Sequence, residues 1–367
     1  MNDFRDRLET SVERLVSSDI RKLNAYQVPD SSGMLKLDAM ENPFVWPEAI
    51  RQKWLEQLSS APINRYPDAD ARVLKQQIHK IMDVPEGVDL VLGNGSDELI
   101  QLIAMAVNAP GRKIMAPEPS FVMYRMVTKF LGMDYVGVPL GADFEIDLQT
   151  TIQKIENENP AVIFLAQPNN PTGNLWGDEK LRRILEAANG LVVIDEAYTA
   201  FTDADYLGWL ETYPNLLIMR TLSKVGLAGL RLGLLFGHSQ WMTEINKLRL
   251  PYNINVLTQM SAAFALEHYD MLIEQTQELV RQRENLINSL KSIEGLVVYP
   301  SAANFVLVRL TKGTAGAAHE GLKQHSILVK KLDGAHPLLE GCLRINVSSK
   351  EDNDLLIQSL SQVMSSL

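Results

Sequence analysis

The stretch VIFLAQPNNPTGN, residues 162–174, contains the two signals that decide the fold of this chain. Its first five residues, 162–166, are all apolar and do not alternate with polar residues, which is typical of a strand that is covered on both faces. The loop that follows is rich in proline, asparagine and glycine, and these residues favour rigid turns. This combination predicts a sheet with helices packed on both of its sides.

Short apolar runs of the same kind recur between residues 89 and 237. They predict strands at 90–92, 113–116, 135–138, 162–166, 191–194, 216–219 and 232–236. Helical patterns lie between them, for example at 97–109, 121–131 and 178–188. This alternation predicts an α/β fold with a largely parallel sheet.

The pattern changes after residue 251. Residues 255–292 contain no proline or glycine and predict one or two long helices. Strands are predicted at 296–299, 305–309, 327–330 and 343–347, and a last helix at 351–366. We therefore expect an N-terminal segment, 1–45, that packs with the small domain, a large α/β domain, 46–250, and a long linking helix with a small α+β domain, 251–367.

The bulk properties exclude several classes of function. A formal net charge of −10 argues against a nucleic-acid partner, because phosphate backbones demand clustered lysine and arginine. The single cysteine, Cys342, fits a reducing compartment, and no run approaches the roughly 20 apolar residues of a membrane span. The histidines and the cysteine show no metal-binding spacing. We expect a cytoplasmic protein with no metal and no membrane contact.

The segment TLSKVGLAGLRLG, residues 221–233, places Lys224 among small and apolar residues. An amine shielded from water has a lowered pKa and can condense with an aldehyde. This segment follows a predicted strand, and open α/β sheets bind their ligands at such places.

The segment LGNGSDELI, residues 92–100, has two interpretations. It can be an ordinary capped helix with Ser96 or Asp97 as the N-cap. It can also be an anion site, because the first N–H groups of a helix lack partners within the helix.

Asp195 ends an apolar strand in LVVIDEAYTAF, residues 191–201. It can cap a helix or pair with the protonated ring nitrogen of a ligand. Asn170 can be a turn residue or an amide that contacts a ligand. Arg344, at the start of a late strand, suits a carboxylate or a phosphate, because its planar fork binds two oxygens at once.

Together these side chains meet the requirements of pyridoxal phosphate. Lys224 offers an amine to the aldehyde, and Asp195 offers a carboxylate to the pyridinium. Asn170 and Tyr198 could bond the phenolic oxygen. A helix N-terminus, with Ser223 and Arg231, could bind the phosphate.

The motifs that point to a known family are KLDAMENPF (36–44), NRYPDA (64–69), GNGSDELI (93–100), PNNPTGN (168–174), IDEAY (194–198) and TLSK with GLAGLRLG (221–233). Through them the chain resembles the fold-type I pyridoxal-phosphate aminotransferases over nearly its whole length. Within that group it resembles the histidinol-phosphate aminotransferase family. The interval from Lys224 to Arg231 is seven residues, where eight is commonest, and Phe121 stands where the family commonly has a tyrosine stacked on the cofactor ring.

The resemblance implies roles for individual residues. Lys224, Asp195 and Tyr198 would be catalytic, with Lys224 as the covalent attachment point and proton carrier. Arg344 would bind the anionic end of the substrate, and Asn42 and Tyr26 are candidates for contacts near the pocket entrance. The implied cofactor-binding residues are Gly95, Ser96, Asp97, Phe121, Asn170, Asp195, Tyr198, Thr221, Ser223, Lys224, Arg231 and, reaching across a homodimer interface, Tyr66.

The implied activity is a ping-pong transamination. L-histidinol phosphate and 2-oxoglutarate would give imidazole acetol phosphate and L-glutamate, a step of histidine biosynthesis. Two alternatives with the same fold are an aromatic amino acid aminotransferase and a pyridoxal-phosphate-dependent decarboxylase of a phosphorylated amino acid. Two others are a non-catalytic ligand sensor and an α/β protein without a cofactor.

Overall fold

The structure is a computed structural model that describes residues 2–25 and 27–367. Within those residues the chain forms thirteen α-helices and twelve strands. The helices are α1 (Asn2–Leu15), α2 (Ser18–Arg21), α3 (Glu48–Leu58), α4 (Arg72–Ile81), α5 (Ser96–Val107), α6 (Val122–Phe130), α7 (Leu148–Glu158), α8 (Asp178–Ala187), α9 (Ser239–Asn246), α10 (Val256–Glu267), α11 (Tyr269–Lys291), α12 (Ala315–Gln324) and α13 (Lys350–Ser366). The strands are β1 (Leu35–Leu37), β2 (Val88–Asn94), β3 (Lys113–Glu118), β4 (Asp134–Pro139), β5 (Val162–Ala166), β6 (Leu191–Asp195), β7 (Leu216–Thr221), β8 (Leu232–His238), β9 (Leu296–Val298), β10 (Phe305–Leu310), β11 (Ile327–Lys331) and β12 (Cys342–Asn346).

Seven strands form one large sheet in the order β2-β8-β7-β6-β5-β3-β4. Neighbours in the sheet are parallel, except that β8 runs antiparallel to both β2 and β7. All seven strands predicted between residues 89 and 237 lie within these elements. The α/β fold with a largely parallel sheet is therefore confirmed.

Strand β5 shows why its sequence lacks alternation. All five of its residues are buried. Val162 and Phe164 belong to one apolar cluster, whereas Ile163 and Leu165 belong to the cluster on the other side of the sheet. Since successive side chains of a strand point to opposite faces, a sheet covered on both faces needs an apolar residue at every position.

A second sheet has the order β1-β11-β12-β10-β9. Strand β1 is parallel to β11, and the other neighbouring pairs are antiparallel. The sequence did not predict β1, because its three residues are too few to show a periodicity. Its pairing with β11 joins the N-terminal segment to this sheet. The proline-free stretch 255–292 forms two helices, α10 and α11, which meet at His268.

Strand direction determines where polar loops gather. Because β8 is antiparallel to β2 and β7, strands β2, β3, β5, β6 and β7 all point the same way. Their carboxyl ends meet at one edge of the large sheet, where ligands of open α/β sheets bind. No helix formed by residues 2–25 and 27–367 combines the length and apolar character that a membrane span requires.

Candidate active site

A pocket lies at this edge of the large sheet. Its walls come from the loops after β2, β3, β5, β6 and β7, from the turn before β8, and from the segment after β1. The residues that line it are Met40, Ser96, Asp97, Phe121, Ala166, Asn170, Asp195, Ala197, Tyr198, Thr221, Ser223, Lys224 and Arg231. Ten of these were singled out from the sequence.

Lys224 follows β7 in a short π-helical turn, Ser223–Leu227. Gly226 within this turn has φ 107, a conformation that glycine adopts without steric cost. The Lys224 amine donates a hydrogen bond to the carbonyl of Ala39 at 3.2 Å. Burial lowers the pKa of Lys224 from 10.5 to about 8, and the positive charge of Arg344 acts in the same direction. The amine is therefore a far better nucleophile near neutral pH than an ordinary lysine.

Asp195 ends β6 and is buried. Its Oδ2 accepts a hydrogen bond from the Tyr124 hydroxyl at 2.6 Å, and its Oδ1 accepts one from the backbone N–H of Ala197 at 3.1 Å. Burial raises the pKa of Asp195 to about 6, and the Tyr124 hydrogen bond opposes that rise. Two donors thus hold a carboxylate at the wall of the pocket, where a cationic group of a ligand would compensate its burial.

Three side chains form a chain of hydrogen bonds along another wall. Arg344 donates through Nη1 to Oδ1 of Asn170 at 2.6 Å and through Nη2 to the carbonyl of Asp38 at 2.8 Å. Asn170 donates through Nδ2 to the Tyr198 hydroxyl at 3.2 Å. The amide orientation of Asn170 follows from Arg344, which can only donate. Because the Tyr198 oxygen accepts from Asn170, its own proton can be donated to a ligand.

The first turn of α5 lies at one end of the pocket. Gly95 is the N-cap of α5, and it has no side chain that could accept a hydrogen bond from the first helical N–H groups. The interpretation of Ser96 or Asp97 as the N-cap is therefore wrong: both lie inside the helix. A Cβ at Gly95 would overlap the guanidinium of Arg231. This cradle of free N–H groups, a hydroxyl and a guanidinium suits a phosphate.

Arg231 reaches this cradle through an unusual backbone conformation. It has φ 51, in the left-handed region, between a short 3-10 turn, Ala228–Leu230, and β8. Its guanidinium contacts the carboxylate of Asp97 at 3.2 Å, and both side chains are half-exposed. The seven-residue interval from Lys224 therefore still brings Arg231 to the pocket.

The aminotransferase class I and II family model matches residues 32–360. The chain belongs to this family. The histidinol-phosphate aminotransferase 2 of Nitrosococcus oceani is 47% identical over 349 residues, which are 95% of this chain and 97% of that protein. The histidinol-phosphate aminotransferase 1 of Ralstonia nicotianae is 46% identical over 94% of this chain and 93% of that one. The resemblance inferred from the motifs is confirmed.

A solved structure supports the same fold. The histidinol-phosphate aminotransferase from Sinorhizobium meliloti in complex with pyridoxal-5'-phosphate has a TM-score of 0.86 and 26% identity to this chain. The match covers 96% of this chain and 98% of that one. The two-sheet architecture is thus that of a pyridoxal-phosphate aminotransferase of fold type I.

Four described residues that were predicted for the site of this aminotransferase do not line the pocket: Gly95, Arg344, Tyr66 and Asn42. Tyr66 is 80% exposed and stacks on Tyr252, with ring centroids 4.5 Å apart. Asn42 donates to Gln275 and accepts from the backbone N–H of Phe44, so its amide is engaged beside the pocket. Tyr26 lies outside the described residues.

The remaining differences concern Arg344 and residues that the sequence did not indicate. Arg344 lies in the middle of β12, not at the start of a strand as predicted. Opposite it on β11 is Lys330, and directly paired residues of antiparallel strands point to the same face. Met40 at the pocket wall and Tyr124 behind Asp195 were also missed. Only strand register and packing reveal these neighbours.

Proposed function

We propose that this aminotransferase binds pyridoxal phosphate and transfers the amino group of L-histidinol phosphate to 2-oxoglutarate, giving imidazole acetol phosphate and L-glutamate. The observation that carries the proposal is one pocket that unites the Lys224 amine, the Asp195 carboxylate and the anion cradle of α5. The relatives at 46–47% identity are named histidinol-phosphate aminotransferases, which supports histidinol phosphate as the substrate.

The donor set of the pocket fits pyridoxal phosphate at each of its polar groups. The phosphate suits the N-terminus of α5 with Ser96 and Arg231, and Thr221 and Ser223 place two more hydroxyls there, 2.9 Å apart. When bound, the cofactor supplies an aldehyde that condenses with amines and a ring that withdraws electrons from the substrate carbon. Phe121 lines the wall where an aromatic face can cover that ring.

Lys224 acts as the covalent attachment point and then as the proton carrier. Its lowered pKa provides the uncharged amine that both tasks need near neutral pH. We assign Lys224 the transfer of a proton from the substrate's α-carbon to the carbon that carried the cofactor's aldehyde group. A base of this kind contributes about 10²–10⁴-fold to a rate.

Asp195, Asn170 and Tyr198 orient and polarise the cofactor. The Asp195 carboxylate holds a proton on the ring nitrogen. The Tyr198 hydroxyl, which accepts from Asn170, donates its proton to the phenolic oxygen. Asn170 also accepts a hydrogen bond from Arg344. An anion that binds Arg344 therefore changes the hydrogen bonds of Asn170 and, through Tyr198, the hydrogen bond to the phenolic oxygen.

Arg344 binds the anionic end of the substrate, and Lys330 adds a second cation on the same face of the small sheet. A phosphate monoester carries up to two negative charges and three acceptor oxygens, whereas a carboxylate carries one charge and two oxygens. Two cations therefore favour the phosphate of histidinol phosphate, while the guanidinium alone also serves the carboxylates of 2-oxoglutarate and glutamate.

The proposal includes a homodimer in which Tyr66 reaches the cofactor phosphate of the partner. The high exposure of Tyr66, outside the pocket of its own chain, supports this assignment. The proposal also includes the division of the chain into an N-terminal segment, 1–45, a large domain, 46–250, and a linking helix with a small domain, 251–367. The confinement of the large sheet to residues 88–238 supports this division. The single cysteine fits a reducing compartment such as the cytoplasm.

The decisive experiment compares substrates with the purified, cofactor-loaded enzyme. We expect glutamate to form from histidinol phosphate and 2-oxoglutarate much faster than from phenylalanine, with no carbon dioxide released. Equal turnover of phenylalanine would favour the aromatic aminotransferase, and carbon dioxide would favour the decarboxylase.

Two variants sharpen this comparison. Arg344→Lys keeps the charge but loses the planar fork, so both half-reactions should slow. Arg309→Lys is the matched control, because Arg309 lies on β10 of the same sheet and donates to the carbonyl of Leu338, whereas Arg344 donates to the pocket residue Asn170. An Arg344→Lys enzyme with unchanged half-reactions would remove Arg344 from the substrate site.

A further inference from the structure

Tyr124 is a buried side chain that lies behind the pocket and touches its carboxylate. It belongs to α6, has no exposed surface, and is not a residue of the pocket wall. Its hydroxyl donates to Oδ2 of Asp195 at 2.6 Å, across 71 positions of sequence. The opposite carboxylate oxygen, Oδ1, accepts from the backbone N–H of Ala197. The carboxylate is thus held by one donor at each oxygen.

Packing sets the position of the hydroxyl. The Tyr124 ring stacks on Phe164 with centroids 4.6 Å apart and an interplanar angle of 7°. It also meets Phe121 edge to face at 5.6 Å. A ring held on two sides cannot turn its hydroxyl away without disturbing the core. Asp195 therefore meets the same donor whether or not a ligand is present.

The hydrogen bond changes the proton affinity of Asp195. A donor to the charged form of a carboxyl group stabilises that form. A proton shared between a carboxylate and a ring nitrogen lies mainly on the more basic of the two. The Tyr124 hydroxyl therefore favours the ring nitrogen, and it works against burial and the nearby charge of Asp97, both of which raise the pKa of Asp195.

We propose that Tyr124 is a positioning residue that holds the Asp195 carboxylate ionised and aimed at the cofactor, so that the proton stays on the ring nitrogen. This inference rests on the proposed binding of pyridoxal phosphate. It gives α6 a part in the reaction, in addition to the part proposed for Phe121, which is the N-cap of this helix. Tyr124 acts through Asp195 and is not proposed to touch cofactor or substrate.

The test uses Tyr124→Phe, which removes the hydroxyl and keeps the stacked ring. The first readout is the ¹⁵N chemical shift of the ring nitrogen in bound, isotope-labelled pyridoxal phosphate. We expect a pyridinium signal in the wild type and a displacement towards the unprotonated position in Tyr124→Phe. The second readout is the affinity of the cofactor-free protein for pyridoxal phosphate divided by its affinity for the 1-deaza analogue, which lacks the ring nitrogen. This ratio should fall about tenfold or more, as for loss of a hydrogen bond to a charged group.

The matched control is Tyr206→Phe. Tyr206 is also buried and its hydroxyl also donates to a carboxylate, that of Asp178 at 3.2 Å, which does not line the pocket. Tyr206→Phe should leave the ¹⁵N chemical shift of the ring nitrogen and the ratio of the two affinities at their wild-type values. A purely structural role for Tyr124 would weaken the binding of both cofactors equally, and an unchanged ratio overturns the proposal.

Two further arms keep the result interpretable. If Tyr124→Phe does not fold, 3-fluorotyrosine at position 124 keeps the ring and makes the hydroxyl a stronger donor, so the affinity ratio should rise. An unchanged ratio there also overturns the proposal. A wild-type chain that fails to bind pyridoxal phosphate would refute the proposed function instead, whereas full binding with equal ring protonation in Tyr124→Phe refutes only the assignment of Tyr124.

Discussion

The reactivity of the Lys224 amine should depend on pH in a way that the structure predicts and that needs no cofactor to measure. Burial and the charge of Arg344 both disfavour the ammonium form, and the pKa of Lys224 is lowered to about 8. At pH 7 such a pKa leaves about one amine in ten uncharged, whereas an ordinary lysine leaves about one in three thousand. The uncharged fraction of Lys224 should therefore be about 300-fold larger than that of an ordinary lysine at this pH, and its reactivity should begin to rise at lower pH.

The perturbation that isolates the electrostatic cause is Arg344→Met. Removing this cation should raise the pKa of Lys224, so the rise in reactivity should move to higher pH. Arg309→Met is the matched control, because Arg309 lies on the same sheet but is not among the charges that act most strongly on Lys224. Its profile should coincide with that of the wild type.

The assay is a short pulse of deuterated formaldehyde and cyanoborohydride on the cofactor-free protein, at pH values from 6 to about 11. Mass spectrometry then gives the labelling of the peptide that contains Lys224, relative to N-acetyl-lysine in the same tube. We expect a midpoint near pH 8 in the wild type. A midpoint near that of N-acetyl-lysine, or an Arg344→Met profile that coincides with the wild type, would refute the reasoning.

Two other predictions follow from named contacts. Arg220→Met should destabilise the protein by about 3–5 kcal/mol, because it leaves the buried carboxylate of Glu196 without its cation. Urea denaturation measures this loss of unfolding free energy. Adding Glu196→Gln should recover part of the lost stability, and no recovery would contradict the pairing. Mixed dimers of Lys224→Ala and Tyr66→Phe subunits should contain one site that combines an intact Lys224 with an intact Tyr66 from the partner. That site should retain pyridoxal phosphate as the wild type does, and a mixture no better than the Tyr66→Phe homodimer would place the role of Tyr66 within its own chain.

Much of the candidate site could be predicted from short motifs. Asp195 ends an apolar run, Lys224 follows another, and Asn170 lies in a loop of prolines and asparagines. Each of these signals is local, because it depends on residues within one strand and the loop after it. The parallel direction of the strands then brings the three loops to one edge of the sheet.

The residues that were missed or misplaced depend on distant parts of the chain. Tyr124 looks like an ordinary apolar position of α6 until β6 places Asp195 against it. Lys330 gains its significance from the register that pairs it with Arg344. Gly95 takes the N-cap position that Ser96 or Asp97 was expected to occupy.

The sequence by itself determined the alternation of strands and helices between residues 89 and 237, the family, and the candidate amine, carboxylate and guanidinium groups of the site. It could do so because burial on both faces of a sheet leaves apolar runs and because loops at strand ends have their own composition. Only the tertiary structure decided which groups meet. The left-handed backbone conformation of Arg231 brings its guanidinium against Gly95, and the Tyr124 hydroxyl donates to Asp195. Such contacts depend on strand order, register and packing between segments far apart in the chain, which no local pattern encodes.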